Sequence, residues 1–325
     1  MDKRLLKLKT WLLTVLDDPL ISLTPASSDA SFRRYFRAHT EKTSFVIMDA
    51  PPKLEPLDQF IKIDKALIKQ GVHAPLILNQ NIDEGFLMLE DLGDKTYLNE
   101  LKQAGQSLYR DAIKSLVKIQ LGTFEQNEFD IPIYNYKLFD QELNLFKDWY
   151  CHKHLAISLS DDQKHIWNTS KRFLIEACLE QPMVWVHRDY HSRNLMRVDS
   201  NSPAVIDFQD MVLGPISYDL ASLLKDCYIE WPRETQRQWL EVYLEHAKDK
   251  MPHLDIGIEQ LTRWVDLTGL QRHLKVLGIF SRLYYRDKKS TYLEDMPLVK
   301  KYIYEVVQLY PELSEFSSLL SEIEK

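Results

Sequence analysis

Asp189, Asn194 and Asp207 are acid, amide and acid, set five and thirteen positions apart along the chain. Asp189 follows the apolar run Met183-Val184-Trp185-Val186 and falls in a loop, where a carboxylate can accept the proton of a hydroxyl. Asn194 and Asp207, the latter ending the apolar strand Ala204-Val205-Ile206, offer oxygen ligands to Mg²⁺, a hard cation usually held by one or two carboxylates together with phosphates. These are the parts that phosphoryl transfer from ATP needs, with Asp189 as the catalytic base and Asn194 and Asp207 as metal ligands. Asp207 could instead cap the following turn. His187 is read as a brace for the loop, and Asp219, after Gly214 and Pro215, as the acid in a helix's first turn. His191, Arg193, Gln209 and Asp210 surround the reacting centre as candidates for contact with substrate or phosphate.

These residues must be held by other elements. Leu5, Leu6, Leu8, Trp11, Leu12, Leu13 and Leu16, interrupted by Lys7 and Lys9, form an amphipathic helix, not a signal peptide. Phe32, Arg34, Phe36 and Ala38 alternate with Arg33, Tyr35 and Arg37, the period of a strand. Ser44 to Met48 reads as its hairpin partner, Leu54 to Gln70 as a helix ended by Gly71, and Pro75 to Leu78 and Gly85 to Leu89 as further strands. Near Tyr97 the pattern turns helical: Gln106 to Phe124, Leu138 to His154, Asp161 to Glu180, Arg233 to Lys248, Ile258 to Tyr285 and Leu298 to Tyr310. Trp264, Phe280, Tyr284 and Tyr285 recur at helical spacing and are assigned to the core.

The chain has 325 residues, 45% of them hydrophobic, which exceeds what one core usually supports. Its net charge of −7 with no basic cluster makes nucleic acid or an anionic membrane an unsuitable partner. Cys151, Cys178 and Cys227 have no CxxC spacing and read as reduced thiols. No uncharged run is long enough for a membrane span, so a cytoplasmic protein is expected.

His187-x-Asp189-x-x-x-x-Asn194 with Asp207-Phe208 resembles the catalytic and metal loops of the protein-kinase-like superfamily. His191, Ile206-Asp207-Phe208-Gln209 and the stretch Gly214 to Ala221 resemble its aminoglycoside phosphotransferase branch; no activation segment ending Ala-Pro-Glu is present, which argues against a protein acceptor. Ser28 to Arg37, Val46 to Pro52, Leu89 to Asp94, Asp226 to Pro232 and Gly269 to Leu283 look like segments of the bacterial anomeric sugar kinases acting on N-acetylmuramate and N-acetylglucosamine in cell-wall recycling. The resemblance implies an α+β, bilobal protein-kinase-like fold: a small β-rich N-lobe over residues 1–93, including the N-terminal helix, and a larger, mainly helical C-lobe over 94–325. It also implies ATP and Mg²⁺ as cofactors and a small-molecule sugar as partner.

Two departures from the family pattern concern the nucleotide. None of the chain's nine glycines precedes Gly71, so a Gly-rich phosphate loop is excluded. In its place stand Ser28, Asp29, Ala30, Ser31 and Phe32, whose backbone N–H groups and hydroxyls can meet phosphate. The family's strand lysine would fall near Met48, and no acidic residue in Leu57 to Lys65 stands convincingly where its glutamate partner would. Arg33 and Arg37, with Arg34 beside them, are therefore expected to supply positive charge. Glu90, Asp91 and Leu92 form the connector whose backbone would meet adenine. On the acceptor side, Arg272, Lys275 or Arg193 would answer a substrate carboxylate, and Trp231 would stack on a sugar ring. The rival readings are an aminoglycoside or other small-molecule hydroxyl kinase, and a nucleotide-binding protein without catalysis.

Overall fold

The structure, a computed structural model, describes residues 2–28, 32–104, 107–122, 131–252 and 254–324. Asp29, Ala30 and Ser31 of the expected phosphate loop lie outside the described residues.

The first helix, α1 (Lys3–Val15), starts where the Asp2 carboxylate accepts the N–H groups of Arg4 and Leu5 at 3.0 and 3.1 Å. A five-stranded sheet follows: β1 (Ser22–Ser28), β2 (Arg34–His39), β3 (Ser44–Asp49), then α2 (Leu57–Lys69), β4 (Ile77–Asn81) and β5 (Phe86–Glu90). The strand order is β1-β2-β3-β5-β4, every neighbouring pair antiparallel. Tyr35 is opposite Met48 and Arg37 opposite Val46, while Met48 and Val46 face Leu87 and Leu89 on β5. Directly opposed residues share a face, so one side of the sheet presents Tyr35, Arg37, Val46, Met48, Leu87 and Leu89.

The two faces have different partners. Ala38, Ile47, Phe86 and Met88 pack against Leu8 and Leu12 of α1, each fully buried leucine contributing about 1.5–3 kcal/mol. Asp49 at the end of β3 is also buried on this side and receives Arg4 Nε and Arg34 Nε, both at 2.9 Å, so the desolvated carboxylate is compensated. The opposite face meets Phe60, Ile63 and Leu67 of α2. Gly71, at φ +74°, follows the end of that helix as expected.

The remainder is mainly helical: α3 (Tyr97–Ala104), α4 (Ser107–Gln120), α5 (Tyr136–Leu145) and α6 (Asp161–Leu179) precede four short strands. These are β6 (Met183–Val186), β7 (Leu195–Met196), β8 (Ala204–Val205) and β9 (Val212–Pro215), with β6 paired to β9 and β7 to β8. They are followed by α7 (Tyr218–Leu224), α8 (Arg233–Lys248), α9 (Ile258–Tyr285), α10 (Met296–Val307) and α11 (Ser314–Ile323). The expected single helix to His154 instead changes to π-helix over Phe146–His154. There α9 approaches so closely that a Cβ on Gly278 would lie 2.5 Å from the Leu145 carbonyl oxygen. Trp264 and Phe280 are core residues, as their spacing indicated, whereas Tyr285 is partly exposed. All three cysteines are free thiols, and no described helix is long and apolar enough to cross a membrane.

Candidate active site

The sheet face carrying Tyr35, Arg37, Val46 and Leu89 looks into a cleft of about 600 Å³ whose other wall contains Asp189, Asn194 and Asp207. The volume suits a cofactor-sized ligand. Local chain geometry brings the three side chains together. Arg188, at φ +78°, turns the chain out of β6, and the short β7–β8 pair carries it back so that Ile206 N–H donates to Asn194 O at 3.1 Å. Asn194 Nδ2 then donates to the Asp189 carbonyl at 3.0 Å and to Asp207 Oδ2 at 3.3 Å. Gln209 Nε2 donates to Asp207 Oδ1 at 2.7 Å, placing Gln209 against the acid rather than open to substrate.

Several buried groups hold the Asp189 loop. The Asp219 carboxylate accepts the N–H groups of His187 and Arg188 at 2.7 and 3.0 Å, so besides opening α7 it braces the loop. Burial nonetheless pushes its pKa up to about 7. His187 Nε2–H donates to the Ile206 carbonyl at 3.0 Å while Nδ1 accepts the Asp189 N–H at 3.3 Å, which fixes the tautomer. Burial lowers its pKa to about 4, so this ring is a neutral brace rather than a base. Asp226 accepts the Ser192 N–H at 3.0 Å, and Tyr190 OH donates to the Ala112 carbonyl at 2.8 Å.

Beneath the loop lies a charged network absent from the sequence reading. Glu142 meets Lys275 at 2.8 Å and Arg188 at 3.0 Å, and also accepts the Tyr134 hydroxyl. The Asp189 carboxylate opens to the cleft but has protein around it. Loss of solvation opposes its charge, yet the positive surroundings, Lys275 foremost and Arg272 among them, outweigh this and hold the carboxyl below its ordinary range. It is therefore ionised throughout the physiological range.

Four placements correct the sequence reading. Arg272, expected at a substrate carboxylate, is 8% exposed and donates to Arg188 O at 2.6 Å and Ser222 Oγ at 2.7 Å, because α9 runs under the loop. Trp231, expected to stack on sugar, donates its indole N–H to Tyr109 OH at 2.8 Å and packs edge-on against Tyr109 and Trp239. Met48 points from the cleft-side face of the sheet into the core over α2, behind the lining residues. Asp210 is exposed and outside the lining. The helix α2 does contain a buried acid, Asp64, but it has no ion pair among the described residues; burial raises its pKa to about 7.

On the sheet side, Arg37 lines the cleft and grips Asp91 through Nε at 2.9 Å and Nη2 at 3.1 Å, with Nη2 also donating to Gly93 O at 2.8 Å. Asp91 further accepts Ser44 Oγ at 2.7 Å and Gly93 N–H at 3.0 Å, so the connector is fastened to β2 and β3 while Glu90 and Leu92 line the cleft. Arg33 lies just before β2 and pairs with Glu55 at 2.8 Å; Arg34 faces the other way, toward Asp49 and Asp2. Phe32 is 65% exposed, and Ser28 closes β1 opposite Arg34 instead of lying in a loop. His191 and Arg193 line the cleft together with Tyr228 and Tyr292, two aromatics the sequence did not single out. The sequence signal for Tyr228 was its place in the Asp226 to Pro232 segment.

Asn194 Oδ1 has no hydrogen-bond partner among the described residues, and Asp207 adds carboxylate oxygens beside it. This donor set fits a hard divalent cation in company with phosphate oxygens.

The model of the phosphotransferase enzyme family (APH) matches residues 22–256. The N-acetylmuramate/N-acetylglucosamine kinase of Pseudomonas putida is 42% identical over 334 residues, covering 99% of this chain and 97% of its own. The protein of the same name from Pseudomonas aeruginosa is 40% identical over 337 residues, covering 99% and 97%. Among solved structures, ADP-bound aminoglycoside phosphotransferase APH(2'')-Ib superposes with a TM-score of 0.62 over 94% of this chain and 99% of that one, at 16% identity, a likeness of fold.

Proposed function

Since this chain belongs to the phosphotransferase enzyme family, we propose that it transfers the γ-phosphoryl group of ATP to the anomeric C1 hydroxyl of N-acetylmuramate and N-acetylglucosamine. The observation that carries the reading is that the Asp189 carboxylate opens into the same cleft as Asn194 and Asp207. The bilobal division at residue 93 gives the nucleotide the sheet side and the sugar the helical side.

Asp189 orients the C1 hydroxyl and takes its proton as the hydroxyl oxygen bonds to the γ-phosphorus; the bond to the β,γ-bridging oxygen breaks and ADP leaves. A carboxylate held at low pKa is a weak base, which suits an anomeric hydroxyl, more acidic than an ordinary alcohol. Asn194 and Asp207 would hold Mg²⁺, which supplies charge neutralisation at the phosphates when bound. Arg37 is placed to add positive field from the sheet, and the connector backbone around Glu90 and Leu92 to take adenine. A reaction drawing on ATP and a recycled cell-wall sugar belongs in the cytoplasm.

Incubation with labelled ATP, Mg²⁺ and a panel of the two amino sugars and aminoglycosides, with the phosphate located by NMR, tests this reading. Phosphate on C1 of both sugars is expected. Transfer only to aminoglycosides, or ATP binding without transfer, would overturn it.

A further inference from the structure

We infer that Arg193 reads the lactyl carboxylate of N-acetylmuramate and so sets the preference between the acidic and the neutral sugar. This rests on the proposed sugar-kinase reading of the site. N-acetylmuramate differs from N-acetylglucosamine by a lactyl ether on O3, whose carboxylate is the one charge available to tell them apart.

Of the three cations that could answer that charge, two are engaged under the catalytic loop: Arg272 by the Arg188 carbonyl and Ser222, Lys275 by Glu142. Arg193 is exposed in the cleft and has no carboxylate in ion-pair range among the described residues. The other guanidinium lining the cleft, Arg37, is held by Asp91 on the sheet side. Arg193 is also oriented, since its guanidinium carbon lies 3.4 Å from the Tyr228 ring centroid. The Tyr228 N–H donates to Asp226 Oδ1 at 3.1 Å, and the same carboxylate holds the Ser192 N–H. One buried acid thus anchors both the stacking platform and the catalytic loop, the latter at Ser192, three residues after Asp189. The nearby carboxylate that Arg193 influences, Asp295, makes no ion pair with it. A stacked, planar, unpaired guanidinium is preorganised for bidentate carboxylate recognition.

The test is the ratio of kcat/KM for N-acetylmuramate to that for N-acetylglucosamine, which cancels losses common to both sugars and any inactive fraction. Arg193→Ala should lower this ratio by about tenfold or more, the scale of one lost charge-assisted hydrogen-bonded pair, and Arg193→Lys should restore part of it. Wild-type enzyme should lose the same preference for the neutral amide of N-acetylmuramate, an arm that needs no variant. An unchanged ratio in both arms, or an Arg193→Ala effect confined to the KM for ATP, would overturn the inference. Wild-type failure to phosphorylate either sugar would instead count against the proposed function.

Discussion

His187 ties together two segments that must keep step: its Nε2 donates to the Ile206 carbonyl at 3.0 Å, one residue before Asp207, while its Nδ1 accepts the N–H of Asp189. The proposed base and the proposed metal ligand are thereby spaced by one neutral ring.

Replacing that ring should cost both stability and rate. His187→Ala leaves a cavity and two backbone groups unpaired, a loss of roughly 3 kcal/mol. Thermal melting and steady-state kinetics should show a lower Tm and a reduced kcat. The wild-type pH dependence follows from the same burial. In the unfolded chain the ring gains a proton near its ordinary 6.5, but in the folded protein only near 4, so its contribution to stability falls as pH drops through that window. His187→Gln should flatten this part of the acid limb.

Asp189→Asn keeps the shape of the loop and removes the base. A fall in kcat of about 10²–10⁴ is expected, with ATP still bound by calorimetry. Near wild-type turnover would remove Asp189 from the catalytic role.

Asp64 offers a stability prediction of opposite sign to His187. Its carboxyl titrates at about 7 when folded and 3.8 as a free side chain, so the unfolded chain releases the proton first and stability falls as pH rises between those values. Asp64→Asn has no proton to lose. Its stabilisation over wild type should grow from about pH 4 to about pH 7 and then level, reaching on the order of a few kcal/mol. Denaturant melts across that range give the curve, and a variant equally stable at every pH would refute the buried-acid account.

Arg37 holds the connector and faces the cleft, so Arg37→Ala should raise the KM for ATP by roughly tenfold. Arg33→Ala breaks a pair with Glu55 outside the lining and should raise it less. Equal effects would place the nucleotide nearer the β1–β2 turn than Arg37.

Asp189, Asn194 and Asp207 were legible because their geometry is local: one turn, one short hairpin and one strand end bring them together. The strand β2 showed a period of two, β3 stood out as its hairpin partner, and α8 and α9 ended where their patterns did. Arg272, Trp231 and Met48 were misplaced for one shared reason: what each side chain meets depends on a helix or strand distant in sequence. A guanidinium under a loop and one in a cleft have the same local pattern. Tyr228 and Tyr292 escaped notice because they reach the same wall from segments some sixty residues apart. The π-helical stretch from Phe146 to His154 differs too little in period from an α-helix for hydrophobic spacing to mark it.

The charged anchors beneath the Asp189 loop come from α5, α7 and α9, through Glu142, Asp219, Arg272 and Lys275. Arg193 projects from the far end of the loop, Tyr228 lies in the connection after α7 and Tyr292 in the connection after α9. Asp226, which holds both Ser192 and Tyr228, links the loop to the rim; away from it, on the proposed function, changes at the rim would alter acceptor choice and leave the apparatus that moves the phosphate alone. A descendant of this chain could change what it phosphorylates without changing how.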